Sequence, residues 1–115
     1  MGVIIMDYKE QIINYLNNLS YLKRGHIKVV QVAKDTNYSM YQSSEVLEDL
    51  FQDGKLQKRY EVIDIDTALN YGCFKNSNDI PNEYITDDGI KLRLGYNAKI
   101  KVFYRFPNAH EKITV

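Results

Sequence analysis

The stretch Asn37–Leu56, NYSMYQSSEVLEDLFQDGKL, constrains the fold more than any other part of the chain. Ser39 is placed to N-cap a helix, and Gln42 three residues on can reach back to close a capping box. Val46, Leu47, Leu50 and Phe51 recur at helical spacing and form one apolar stripe, with Glu45, Glu48, Asp49 and Gln52 on or beside the opposite face. Gly54 stands where a left-handed C-terminal cap is wanted. The prediction is a helix from Ser39 to about Asp53, half buried, with an acidic outer surface.

Upstream, Asp7 opens a second helical pattern, with Ile12, Ile13, Leu16 and Leu19 in register, predicted over about Asp7–Leu19. The Ser20–Gly25 segment reads as a polar turn, and His26-Ile27 as a short strand. Val29, Val30, Val32 and Ala33 then suit a short helix ending near Asp35 or Thr36. Their β-branching argues for strand, but Ala33 supplies the small contact that lets two helices approach. Downstream, Leu56–Ile65 alternates as a strand, with Leu56, Tyr60 and Val62 opposing Gln57, Arg59, Glu61 and Ile63. Its expected partner is Lys99–Phe106, where Ile100, Val102, Tyr104 and Phe106 alternate with Lys101, Phe103 and Arg105.

The run AKDTNYSMYQSSEVLEDLFQDGKLQKRYEV resembles the winged helix-turn-helix superfamily: small residue, polar turn, Ser N-cap, helix, basic exit strand. That resemblance covers residues 7–66 and implies an α+β fold, with the Ser39 helix second in the helix-turn-helix and the following strand opening the wing. The expected organisation is a single domain over 1–115: a winged-helix core at 7–66, a β insertion in the wing at 67–98, and a closing strand at 99–106. More than thirty residues of bare loop would be improbable in a compact domain, which favours a small β-subdomain there. A flexible lid is the alternative packing.

The RYEV and VFYRF ends are also similar to small bacterial proteins in which a winged helix is followed by a zinc ribbon. Where each ribbon knuckle carries CxxC, this chain has IDID (Ile63–Asp66) and TDDG (Thr86–Gly89), so all four cysteines are lost. The resemblance then implies a metal-free ribbon held by Leu69, Tyr71, Phe74, Ile80, Tyr84, Ile90 and Leu92. Those contacts must replace a structural zinc worth on the order of ten kcal/mol. Such proteins occur in bacterial defence and mobile-element settings, which the resemblance carries over as context. The tail Pro107–Val115 has no pattern and is expected to fray.

Fifteen Lys and Arg balance fifteen Asp and Glu, eight basic to seven acidic over residues 1–60 and seven to eight over 61–115. No basic arm advertises a polyanion. Cys73, the sole cysteine, forms no intrachain disulfide and fits a cytoplasmic setting, where it is expected to be buried. The opening MGVIIMDYKE has neither the basic region of a signal peptide nor the Ser or Thr of a myristoylation motif, and no run is long enough to span a membrane.

Catalysis has little to stand on, since His26 and His110 are far apart and no nucleophile or phosphate-loop motif occurs. Asp64-Asp66 and Asp87-Asp88 form acidic pairs that could hold a hard cation, but Asp is also a turn-capping residue, and no cofactor is expected. The expected function is therefore a non-catalytic interaction module that binds a protein partner or a second copy through Tyr41, Glu45, Glu48 and Asp49. Ten tyrosines and no Trp support it, because an exposed subset of Tyr38, Tyr41, Tyr60 and Tyr104 would suit a protein interface.

The alternative is a DNA-binding regulator with Tyr41, Gln42 and Ser44 on bases and Lys58 and Arg59 on phosphates. Charge opposes it. From Ser39 to Gly54 there is no Lys or Arg, and Glu45, Glu48, Asp49 and Asp53 make a formal −4. Each such charge about 4 Å from a phosphate costs roughly 1 kcal/mol even in water-like surroundings.

Overall fold

The computed structural model describes residues 7–114; the apolar run Gly2–Met6 and the last residue of the tail lie outside them. The fold is mixed α+β, with four helices and a small antiparallel sheet among the described residues. Two compact units divide the chain: the described residues up to Gln57 together with Tyr104 onward, and Lys58–Phe103.

In the first unit α1 (Tyr8–Asn17) is capped by Asp7, whose side chain accepts from the Lys9 amide at 3.3 Å. The helix ends two residues earlier than the apolar spacing predicts. A one-turn helix, α2 (Tyr21–Arg24), replaces the expected polar turn. Ile27 then makes an isolated bridge to Tyr104 in both directions, N–H to O at 2.7 Å and back at 2.8 Å, so of the short strand read at His26-Ile27 only Ile27 pairs. α3 (Val29–Thr36) forms as a helix despite its valines, because Val32 and Ala33 bury against neighbouring helices. It stops at Asn37, which adopts the left-handed conformation at φ 61°. α4 (Met40–Gln52) begins with the expected capping box: the Ser39 hydroxyl accepts from the Gln42 amide at 3.0 Å, and the Gln42 carboxamide accepts from the Ser39 amide at 3.1 Å. Gly54 closes the far end at φ 74°.

The three longer helices converge on Ile12, Leu16, Val32, Val46, Leu47 and Leu56, sealed by Tyr104, Phe106 and Ile113. The last of these corrects the expectation of a frayed tail. Arg24 is buried, and its guanidinium donates to the carbonyls of Asn17, Leu19, Ala109 and Glu111 while lying 4.7 Å from the Phe106 ring centroid. Asn17 clasps Ile113 by a reciprocal pair of hydrogen bonds, each 2.8 Å. The tail carries no apolar periodicity because, apart from Ile113, it is anchored by its backbone polar groups.

In the second unit β1 (Gln57–Asp64) lies between β2 (Asn70–Phe74) and β5 (Ala98–Arg105), while β3 (Glu83–Ile85) and β4 (Lys91–Arg93) form a separate hairpin. β1 and β2 pair from Tyr60↔Phe74 to Ile63↔Asn70 with a bulge after Val62. The expected alternation of β1 fails from Glu61 to Asp64, where four consecutive residues are buried, so both faces of the central strand are covered there. Along the expected closing strand 99–106 the stripe is split instead: Tyr104, and Phe106 just past β5, are buried, but Ile100 and Val102 are exposed.

The small core is Val62, Leu92 and Ala98 with Tyr71, Phe74, Ile80 and Leu94 packed on it. Leu69, Tyr84 and Ile90, expected inside, are exposed, and the long strands supply Val62 and Ala98 in their place. At the IDID site, buried Asp64 accepts from the Asp66 amide at 2.9 Å. At TDDG, the buried Thr86 hydroxyl accepts from the Ile90 amide at 3.0 Å. Both turns are therefore closed by a side-chain oxygen acting on backbone N–H.

Candidate interaction surface

α4 has one face in the core, formed by Ser43, Val46, Leu47 and Leu50, and this dictates what it shows outside. Tyr41, Glu45 and Asp49 stand at i, i+4 and i+8, one exposed stripe along the helix. Tyr41 is 78% exposed and Met40, beside it in the first turn, 53%. The stripe is thus apolar at its N-terminal end and acidic further along.

Internal bonds position two of its carboxylates. Glu45 accepts from the Tyr8 hydroxyl at 3.0 Å, and that hydrogen bond raises the Tyr8 phenol above its ordinary pKa. Glu48, half-buried at the edge of the stripe, accepts from the Tyr104 hydroxyl at 2.7 Å. A buried phenol needs an acceptor, so Glu48 fastens α4 to the segment that carries Tyr104. Asp49 remains outward.

Of the residues read as base contacts, Tyr41 is exposed, Ser44 is half-buried, and the Gln42 carboxamide is folded back on the helix N-terminus as a cap. Lys58 and Arg59 belong to the second unit. The Lys58 ammonium lies 5.8 Å from the Tyr60 ring centroid, and Arg59 donates to the Lys58 carbonyl at 3.0 Å.

Among the flagged tyrosines Tyr104 is buried, Tyr38 and Tyr60 are half-buried, and Tyr41 alone is widely exposed. Tyr38 donates to Gln11 at 2.6 Å. Met40 was not singled out from sequence, since its spacing of seven and eleven residues from Leu47 and Phe51 aligns it with the apolar stripe, yet in the first turn it is exposed. Cys73 is exposed, against expectation, because β2 is an edge strand of the sheet. His110 packs edge-on against the Tyr21 ring, with centroids 4.9 Å apart. Among the described residues no three His, Cys, Asp or Glu side chains come together as metal ligands, and no helix is long and apolar enough to cross a membrane.

No protein family, curated protein or solved structure matches the chain.

Proposed function

We propose that the chain is a non-catalytic interaction module of winged-helix type, and that the outward stripe of α4 binds a protein partner. The element order supports the fold reading: a first helix, a one-residue bridge at Ile27 to the closing strand, a helix-turn-helix with its turn at Asn37, and a strand leaving α4 directly. The observation that carries the binding reading is the alignment of an exposed Tyr41 with Glu45 and Asp49, with Met40 also exposed in the first turn, on a helix that has no Lys or Arg from Ser39 to Gly54. Aromatic and Met side chains are enriched at interface centres, and the acidic remainder selects a partner with a basic rim. A second copy of the chain is one such candidate.

The rival reading, a DNA-binding regulator, meets two physical obstacles: the formal −4 of Ser39–Gly54, and a Gln42 carboxamide committed to the cap. A random duplex titrated at low and moderate salt separates the two. Duplex affinity that depends on Lys58 and Arg59 is not expected; an affinity that falls steeply with salt and is abolished by Lys58→Glu with Arg59→Glu would refute the protein-partner reading. In the positive arm, a photo-crosslinking side chain at position 41 captures one discrete partner in the producing cell. Asp49→Lys removes that adduct while the circular dichroism spectrum stays unchanged.

A further inference from the structure

The zero net charge conceals a segregation within the second unit. Residues 76–90 contain Asp79, Glu83, Asp87 and Asp88 and no base, whereas residues 91–103 contain Lys91, Arg93, Lys99 and Lys101 and no acid. All four bases are exposed and flank the turn joining β4 to β5.

The turn itself is held rigidly. The Asn97 carboxamide accepts from the Arg93 amide at 2.6 Å and donates to the Lys91 carbonyl at 2.9 Å; Tyr96 donates to the Arg93 carbonyl at 3.1 Å, and Gly95, at φ 82°, donates to the Ala98 carbonyl at 3.1 Å. From this frame Tyr96 projects with 81% of its surface exposed, beside an open concavity of about 230 Å³ lined by Glu83, Lys91, Arg93 and Tyr96. Lys91 is ion-paired with Glu83 at 3.2 Å. Lys99 and Lys101 alternate onto one face of β5, roughly 6.7 Å apart along the strand, and every residue from 99 to 102 is exposed.

We propose that this turn binds single-stranded nucleic acid, with a base stacked on Tyr96 and the phosphates taken by Arg93, Lys99 and Lys101. An exposed aromatic ring on a hydrogen-bonded turn flanked by cations supplies both halves of that recognition, a π-face and positive charge. An acidic peptide would use the charge and leave the ring idle. A duplex would keep its bases stacked away from a single ring, so the strand must be unpaired. The site shares no residue with the α4 stripe and stands independently of the protein-partner reading.

The test is fluorescence anisotropy of a short labelled oligothymidylate with the full chain at several salt concentrations. Binding is expected at low salt and tighter than to a duplex of equal length. Tyr96→Ala should weaken it about tenfold or more, while Tyr96→Phe, which keeps the stacking face, stays near wild type. Lys99→Gln with Lys101→Gln should lower the magnitude of the slope of log K against log salt by about 1.4, at roughly 0.7 per single-strand phosphate. All these positions are exposed, so the variants should unfold at the wild-type temperature. No binding at low salt would overturn the proposal. So would equal affinity for polyglutamate, or indifference to Tyr96→Ala, since either would reduce the strip to a general polyanion surface.

Discussion

Arg24→Ala is the substitution whose consequences follow furthest from the structure. The guanidinium donates to four carbonyls, two at the end of α1 (Asn17, Leu19) and two in the tail (Ala109, Glu111), at 2.5–3.1 Å, and it also faces the Phe106 ring. A hydrogen bond to a charged group contributes about 1.5–3 kcal/mol, so a plain sum would approach the whole stability of a small domain. The sum overcounts, because the tail can lift and return the Ala109 and Glu111 carbonyls to water. The expected loss is therefore about 2–4 kcal/mol, a fall of roughly 1–2 M in the urea midpoint.

The loss should be localised as well. Hydrogen exchange should accelerate at the Ile113 amide, which donates to Asn17, and at the Glu111 amide, which donates to the Asn108 carbonyl. Arg24→Lys keeps the charge but lacks the planar fork, and should recover only part of the loss. A stability change under about 1 kcal/mol, with Ile113 exchange unaltered, would refute the idea that this cation anchors the tail.

Other expectations can be checked alongside it. Ser39→Ala should cost about 1 kcal/mol by opening the capping box, seen as a lower chemical-denaturation midpoint. Ala68 sits at φ 61°, where an L side chain is strained, so Ala68→Gly should stabilise by roughly 0.5 kcal/mol after the entropy cost of glycine, read as a small rise in melting temperature. The Tyr15 hydroxyl donates to Asp35 at 2.6 Å; burial first and this hydrogen bond second push the phenol up to about 12, and the same bond is the main cause holding the Asp35 carboxyl below its ordinary value.

The two shifts place this pair's contributions at opposite ends of the pH range. The Tyr15 contribution is complete below the ordinary phenol pKa and is lost as pH rises towards 12. The Asp35 contribution is present above the ordinary carboxyl pKa and is lost as pH falls through its depressed one. Tyr15→Phe should therefore flatten the stability profile at both ends, and should remove a step at about 12 from the phenolate absorbance titration.

What the sequence determined by itself is local. Ser39 and Gln42 are three residues apart and Gly54 lies one turn past the core stripe, so the start, the end and the buried face of α4 follow from short-range geometry alone. The bridge at Ile27 was legible too, although its partner, Tyr104, lies far along the chain. The outward stripe of Tyr41, Glu45 and Asp49 follows from the same helical period, which is why most of the candidate surface could be read in advance.

Tertiary structure decided the rest, because it depends on what is brought opposite. Nothing near Arg24 in sequence says that a polar tail will return its carbonyls to it, or that Glu48 will receive the Tyr104 hydroxyl instead of facing a partner. Alternation in β5 says which residues share a face, but not whether that face is covered, and so Ile100 and Val102 are exposed while Tyr104 is buried. Periodicity records which side chains point together; burial is set by the long-range contacts that periodicity does not contain.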